Sequence, residues 1–209
     1  MNTLPAPSFR HHYAPGASPR TLLLLHGTGG DEHSLHALGT ALDPQAAQLS
    51  PRGQVLEHGH PRFFRRLAEG VFDEADLIHR THALADFVAG RTAQLARDPQ
   101  QVIAVGYSNG ANIAASTLLL RPGVLAGAVL LRPMVPLEPA TLPDLAGVPV
   151  LILAGQADPM VPLPNVRRLA ALLTAAGATV TLHLEPAGHA LTQAEVAVAQ
   201  RWLAALPPG

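Results

Sequence analysis

One serine of this chain stands in a motif that suits a nucleophile. The heptapeptide VGYSNGA covers residues 105–111 and places Ser108 between two glycines, in the pattern G-x-S-x-G. An apolar run precedes it and a helix-like segment follows, so the serine falls at a strand-to-helix turn. Such a turn exposes the hydroxyl on strained backbone, and glycines on either side leave room for the crowded chain. The alternative is an ordinary turn, which also favours Gly, Ser and Asn.

An acid and a histidine that could activate this serine follow two later apolar runs. Asp158 comes just after VPVLILA, and His189 comes just after TVTLHLE. A serine hydroxyl is a weak nucleophile that needs a base, and the base needs an acid to orient it. Asp158 could instead be a turn former and His189 a loop histidine. The chain order Ser108, Asp158, His189, each after a strand, favours a nucleophile–acid–base set.

A glycine-rich turn offers backbone donors for a developing negative charge. The strand that ends at Leu25 continues into HGTGGDE. We predict that the N–H groups of Thr28 and Asn109, the residue after Ser108, form an oxyanion hole. A phosphate-binding turn is the alternative, but the chain has neither G-x-G-x-x-G here nor the lysine of a P-loop.

Several other side chains have both a binding and a structural interpretation. Arg62 and Phe63, within the cluster 62–66, could form a substrate rim, in which arginines contact an anionic group and phenylalanines an apolar one. The alternative is a short amphipathic helix that buries its phenylalanines and leaves its arginines in water. Met134 and Val135 are candidates for an apolar wall of the substrate pocket. The spacing of His79, His82 and Asp86 would allow them to bind zinc together. They lie on the face of their helix opposite its apolar stripe, which indicates exposure to solvent, so we expect no metal.

The elements that must position these residues alternate between short apolar runs and longer amphipathic segments. This alternation predicts one α/β domain over residues 1–209, a mainly parallel doubly wound sheet of about seven strands flanked by helices. Residues 9–13 alternate in polarity, as an antiparallel edge strand would. The predicted strands are Phe9–Tyr13, Thr21–Leu25, Ala46–Ser50, Gln101–Val105, Leu125–Leu131, Val148–Ala154 and Thr179–Leu184. The predicted helices are Glu32–Leu42, Asp73–Arg97, Asn109–Leu120, Asn165–Ala176 and Gln193–Ala205.

Composition excludes several classes of chemistry. Of the 209 residues none is cysteine, which excludes disulfides and a thiolate nucleophile. All 14 basic residues are arginine, which excludes a Schiff-base lysine. The net charge of −1 argues against nucleic acid as a partner, and no apolar run is long enough to span a membrane. The first residues lack the apolar core of a signal peptide, so we expect a cytoplasmic protein.

Four segments together resemble a known superfamily. LLLLHGTGGDE, VGYSNGANIA, LILAGQADPMVP and PAGHALTQAE look like the α/β-hydrolases, and more narrowly their phospholipase/carboxylesterase branch, which includes acyl-protein thioesterases. The segment LSPRGQVLEHGHPRFFRRLAEGVFDEADLI is most similar to bacterial carboxylesterases linked to hydroquinone resistance. The resemblance covers almost the whole chain.

The resemblance implies a serine carboxylesterase that works through an acyl-enzyme on Ser108 without a cofactor. The short connection described below, which cannot form a cap, predicts short- to medium-chain esters as substrates. A small-molecule ester is then the expected partner, and a homodimer is an open alternative to the monomer. Thioesterases of the branch usually have Gln after the serine where this chain has Asn109. A thioesterase, a lysophospholipase or a non-catalytic ligand-binding member are the alternatives. About 17 residues separate Leu131 from Val148, the usual insertion point of a lid, which is too few for a cap domain.

Overall fold

The computed structural model describes residues 8–207, which contain eleven strands and five α-helices. The helices are α1 His36–Leu42, α2 Glu74–Gln94, α3 Asn109–Leu120, α4 Leu163–Ala175 and α5 Gln193–Ala205. The strands are β1 His11–Ala14, β2 Thr21–Leu25, β3 Ala47–Pro51, β4 Val55–Glu57, β5 His60–Arg62, β6 Arg66–Ala68, β7 Val71–Phe72, β8 Val102–Tyr107, β9 Gly127–Leu131, β10 Pro149–Gly155 and β11 Thr179–Glu185.

Seven of the strands form one sheet in the order β1-β3-β2-β8-β9-β10-β11. β1 pairs with β3 in the antiparallel sense, and every other neighbouring pair is parallel. The chain leaves β2 toward β3 on one side and later returns to place β8 on the other side. The carboxyl ends of β2 and β8 therefore flank the point where the strand order reverses, which is where doubly wound sheets bind ligands. The predicted fold class, including its antiparallel edge strand, is confirmed.

Two apolar cores lie on opposite faces of this sheet. In β2, Leu23 and Leu25 face the core covered by α2, α3 and α4, whereas Leu22 and Leu24 face the core covered by α1 and α5. A strand buried on both faces needs apolar residues at successive positions, because successive side chains point to opposite faces. This explains why TLLLL, rather than an alternating pattern, forms a central strand.

Three helices begin at residues other than those predicted. α2 differs at its start by one residue, since Asp73 is its N-cap, and it ends at Gln94 instead of Arg97. α1 begins at His36 instead of Glu32, because the Glu32 carboxylate accepts hydrogen bonds from Arg10 Nε at 2.6 Å and Arg52 Nε at 2.5 Å in a turn that precedes the helix. α4 begins at Leu163 instead of Asn165. Pro164 falls in its first turn, where a helix tolerates proline because the N–H there has no intrahelical partner.

The segment over residues 55–72 differs most from expectation. It forms two short antiparallel hairpins, β4–β5 and β6–β7, and not an amphipathic helix. Phe63 and Phe64 are buried in the core, as the helical interpretation required of the phenylalanines, but Arg62 is buried as well. Burial of a guanidinium is tolerated here because its N–H groups find partners, described below.

The connection from Arg132 to Val148 contains neither a helix nor a strand. No cap domain therefore covers the sheet at this position. None of the helices within residues 8–207 has the length and apolarity needed to cross a membrane.

Candidate active site

Ser108 lies on a sharp turn between β8 and α3. Its φ is +52°, a left-handed conformation that costs a non-glycine residue about 1–3 kcal/mol. Its N–H donates to Leu131 O at 2.8 Å, which ties the turn to β9. The two glycines of the motif are required by close approach: a Cβ on Gly106 would lie 2.5 Å from Gly110 O, and one on Gly110 would lie 1.9 Å from Leu25 O.

The structure brings Ser108, Asp158 and His189 together in one hydrogen-bonded chain. The loops after β10 and β11 are neighbours because these strands pair in parallel. His189 Nδ1 lies 2.8 Å from Asp158 Oδ2, and His189 Nε2 lies 3.2 Å from Ser108 Oγ. A carboxylate only accepts, so Nδ1–H donates to it, which leaves Nε2 free to accept the serine proton.

The side chain of Asp158 is buried and accepts hydrogen bonds at both of its oxygens. Its side chain is 1% exposed. Its second oxygen, Oδ1, accepts the N–H groups of Met160 at 2.8 Å and Val161 at 3.2 Å. Hydrogen bonds to both oxygens fix the carboxylate plane, and therefore the direction in which the imidazole must lie.

Two backbone amides near Ser108 have no acceptor. Among residues 8–207, neither Thr28 N–H nor Asn109 N–H donates to a protein atom. The turn that carries Thr28 is fixed by Gly30 N–H, which donates to Gly27 O at 3.1 Å, and by Gly29 N–H, which donates to Pro61 O at 3.0 Å. Free N–H groups on a fixed turn are pre-arranged donors for an anionic oxygen.

Arg62 and Phe63 join the two residues that carry these amides. Arg62 Nη1 donates to Thr28 Oγ1 at 2.6 Å, and Phe63 N–H donates to Asn109 Oδ1 at 2.7 Å. Burial lowers the pKa of Arg62, and the charge of nearby Glu57, 3.5 Å away, opposes that shift. Sequence reasoning missed this arrangement, since the contacts join residues 34 and 46 positions apart.

The His26 side chain is a neutral ring that links the glycine-rich turn to Gly53. Gly53 N–H donates to His26 Nε2 at 2.9 Å, so the proton must be on Nδ1, which lies 2.7 Å from Gly27 O. Burial lowers the pKa of His26 below its ordinary value of 6.5, although the bond to Gly27 O acts in the opposite direction.

A small open cavity of about 40 Å³ lies over Ser108 and His189. Of the four substrate-contact candidates, Met134 and Arg62 line this cavity. Val135 and Phe63 do not: Val135 N–H donates to Asn165 Oδ1 at 2.7 Å, and Phe63 is 1% exposed in the core. The other lining residues are Thr28, Arg66, Glu69, Gly70, Phe72, Asn109, Asn112, Arg132, Met160 and Val161.

Two further side chains contact the loop of His189 and were not singled out from the sequence. Tyr107 Oη donates to His189 O at 3.1 Å, and burial raises the pKa of Tyr107 so that the phenol keeps its proton. Arg132 contacts the carbonyls on either side. An arginine directly after an apolar strand, in the sequence LLRP, was the available signal.

The histidine-rich face of α2 holds an ion pair. Asp86 accepts from Arg121 Nη2 at 2.8 Å, and Arg121 also lies 3.5 Å from His82 Nδ1. Within residues 8–207 no group of three His, Asp or Glu side chains is arranged to hold a metal ion.

Comparisons with known proteins identify the family of the chain. A family model described as phospholipase/carboxylesterase matches residues 14–206. MhqD of Bacillus subtilis (strain 168), named as a hydrolase, is 51% identical over 195 residues, covering 92% of this chain and 96% of MhqD.

Two solved structures extend the comparison to three dimensions. The crystal structure of a Bacillus cereus carboxylesterase has a TM-score of 0.91 at 48% identity, covering 93% of this chain and 92% of that chain. A carboxylesterase from Mesorhizobium loti has a TM-score of 0.87 at 35% identity, covering 91% of each chain. The chain therefore belongs to the phospholipase/carboxylesterase family of α/β-hydrolases.

Proposed function

We propose that this protein is a serine carboxylesterase that hydrolyses short- to medium-chain esters through an acyl-enzyme on Ser108. The observation that carries the proposal is the continuous chain of hydrogen bonds from Asp158 through His189 to Ser108, beside two amides without acceptors. A nucleophile, a base, an orienting acid and oxyanion donors together are the parts that acyl transfer needs.

In the acylation step, Ser108 Oγ attacks the ester carbonyl carbon while His189 Nε2 takes the hydroxyl proton. The buried Asp158 carboxylate stabilises the imidazolium that forms. The tetrahedral intermediate collapses, the C–O bond to the alcohol breaks, and the imidazolium returns the proton to the departing alcohol. Water then attacks the acyl-enzyme, again giving its proton to His189, and the carboxylic acid and free Ser108 are released.

The N–H groups of Thr28 and Asn109 bind the oxyanion of each tetrahedral intermediate. Removing one such donor typically lowers the rate by about 10²–10³. Arg62 and Phe63 support the proposal because they hold both donor residues at once, which keeps the distance between the two amides constant. Because the donor is the backbone N–H, Asn109 can supply it in place of the Gln of thioesterases, while its side chain accepts from Phe63 N–H.

The lining of the open cavity favours a small acyl group, because only a few apolar side chains near Ser108 can bury it. Each additional methylene gains about 0.8 kcal/mol only if a wall buries it. Phe72, Met134, Met160 and Val161 provide such a wall near Ser108, and no cap extends it.

A series of p-nitrophenyl esters from acetate to palmitate tests this proposal, with and without micelles. We expect kcat/KM to peak at short chains, with no increase at a lipid–water interface. The matched thioesters and a lysophospholipid form the second arm. A maximum at palmitate, or faster turnover of the thioesters, would contradict the proposal in favour of a long-chain thioesterase or lipase. No turnover of any ester would favour a ligand-binding member of the family.

A further inference from the structure

Three successive carbonyls of the loop that carries His189 are held by two side chains, one at the end of β8 and one just after β9. Arg132 Nε donates to Gly188 O at 2.9 Å, Tyr107 Oη donates to His189 O at 3.1 Å, and Arg132 Nη2 donates to Ala190 O at 2.8 Å. The backbone on both sides of the imidazole is therefore fixed by one guanidinium. A loop without regular hydrogen bonding would otherwise be free to move.

Arg132 is itself held rigidly. Its φ of +57° is rare for a non-glycine residue, and its side chain is fully buried. Its Nη1 and Nη2 both bind the Glu195 carboxylate, the latter at 2.7 Å, and Nη1 lies 3.3 Å from Leu153 O. A planar guanidinium with this many fixed donors has one orientation available.

Glu195 connects this arrangement to α5. Its Oε2 also accepts Thr192 N–H at 2.9 Å, and Thr192 Oγ1 accepts Glu195 N–H, so the two residues form a capping box at the start of α5. Burial raises the pKa of Glu195, but the hydrogen bonds from Arg132 and Thr192 outweigh it and leave the pKa below its ordinary value. Glu195 is therefore the counter-charge that makes a buried Arg132 possible.

We propose that Arg132 is a positioning residue for the base of the reaction. By holding Gly188 O and Ala190 O it keeps the His189 ring within reach of both Ser108 Oγ and Asp158 Oδ2. Its Nε also lies 4.0 Å from Asp158 Oδ2, so its charge acts on the acid and its hydrogen bonds act on the base. This inference rests on the proposed function, in which His189 is the general base.

The alternative role for Arg132 is structural only, as half of a buried ion pair. Removing one member of such a pair leaves a buried charge and destabilises the fold. Activity would then fall because less of the protein is folded, whatever the role of Arg132. The variants must therefore remove the carbonyl contacts without leaving a lone charge. Arg132→Met with Glu195→Gln removes both charges, and Gln can still complete the capping box. Arg132→Lys keeps the charge but cannot span two carbonyls and a carboxylate as the guanidinium does.

Two more variants complete the design. Tyr107→Phe removes only the donor to His189 O and keeps the aromatic ring, so it measures the loss of one carbonyl contact of this loop. Arg132→Lys, which keeps the charge, tests Arg132 itself if the double variant does not fold. Arg168→Met is the matched control, because it breaks an exposed arginine–glutamate pair between Arg168 on α4 and Glu138. Circular dichroism and thermal melting report the fold of each variant.

The experiment measures kcat and KM for p-nitrophenyl acetate, together with the NMR signal of the His189 Nδ1 proton, which a hydrogen bond to a carboxylate shifts strongly downfield. In folded Arg132→Met/Glu195→Gln we expect kcat to fall by about 10²-fold, the effect of a roughly 1 Å misplacement, with KM nearly unchanged. Arg132→Lys and Tyr107→Phe should show smaller losses of kcat, and the downfield signal should weaken in the same order. Arg168→Met should match the wild type.

Wild-type kcat and an unchanged downfield signal in the folded variants would overturn the positioning role and leave Arg132 as a structural residue. Failure of the proposed function would look different. In that case Ser108→Ala would retain the activity of the wild type, whatever the Arg132 variants do.

Discussion

Replacing Gly110 with alanine tests whether the spacing between the nucleophile turn and the oxyanion turn determines the rate. A Cβ at this position would lie 1.9 Å from Leu25 O and 2.7 Å from His26 O, both backbone atoms that cannot rotate away. Gly110 lies in the first turn of α3 and does not have a positive φ, so alanine suits its conformation and would even favour the helix by about 1 kcal/mol. The whole effect is therefore steric.

The size of the displacement follows from the contact distance. Ordinary contacts begin at 3.4 Å, so the 1.9 Å approach must open by about 1.5 Å, and close-packed surroundings cannot absorb that shift without moving α3. Ser108 and Asn109 stand at the start of α3, so they move away from Thr28, which lies in the turn after β2. Since a 1 Å misplacement lowers the rate by about 10²-fold, we expect kcat/KM of Gly110→Ala to fall by at least about 10²-fold. Overpacking should also lower the free energy of unfolding by about 1–3 kcal/mol.

Steady-state hydrolysis of p-nitrophenyl acetate, with urea unfolding of the same sample, measures both effects. Gly123→Ala is the matched control, in the turn that follows the far end of the same helix. Its φ of +86° makes alanine strained, but its Cβ would contact nothing within 4 Å, so stability should fall while kcat/KM stays at the wild-type level. If Gly110→Ala were folded and as active as Gly123→Ala, the reasoning from the close approach would be wrong.

Two further predictions concern the acid and the pH dependence of stability. Asp158→Asn should lower kcat by about 10⁴-fold while the protein stays folded, since an amide can favour the wrong imidazole tautomer; near-normal turnover, measured with the same ester, would move the acid elsewhere. The pKa of His26 is lowered in the folded state by burial, so the unfolded chain binds more protons, and the stability that neutral His26 contributes is present above pH 6.5 and lost as the pH falls below 6.5. Urea unfolding at pH 7.5 and pH ~5.5 should therefore show a loss of stability that is smaller in His26→Gln, and equal losses in both proteins would contradict the assignment.

The strands and the three catalytic candidates were predictable because their signals are local. A strand buried on both faces needs a continuous apolar run, and Thr21–Leu25 provides one. In a parallel sheet the carboxyl ends of all strands lie on one edge, so residues that follow separate strands converge there. Ser108, Asp158 and His189 are such residues.

The hairpins over residues 55–72 were not predictable in the same way. Their strands are two or three residues long, too short to show alternation, and the cluster of arginines beside phenylalanines equally suits an amphipathic helix. What decides their conformation is tertiary: the bond of Arg62 to Thr28 and that of Phe63 N–H to Asn109. The pairing of Arg132 with Glu195 was not predicted for the same reason, because a hydrogen bond between residues 63 positions apart leaves no periodic pattern in the sequence.

Covalent labelling tests the central claim most directly, because it asks which atom attacks. The folded protein is treated with a fluorophosphonate, and the adduct is located by intact mass and peptide mapping. The account predicts one adduct per chain, on Ser108, with loss of esterase activity in step with labelling, and neither label nor activity in Ser108→Ala. An adduct on another residue, or an unlabelled Ser108 in protein that hydrolyses esters, would contradict it.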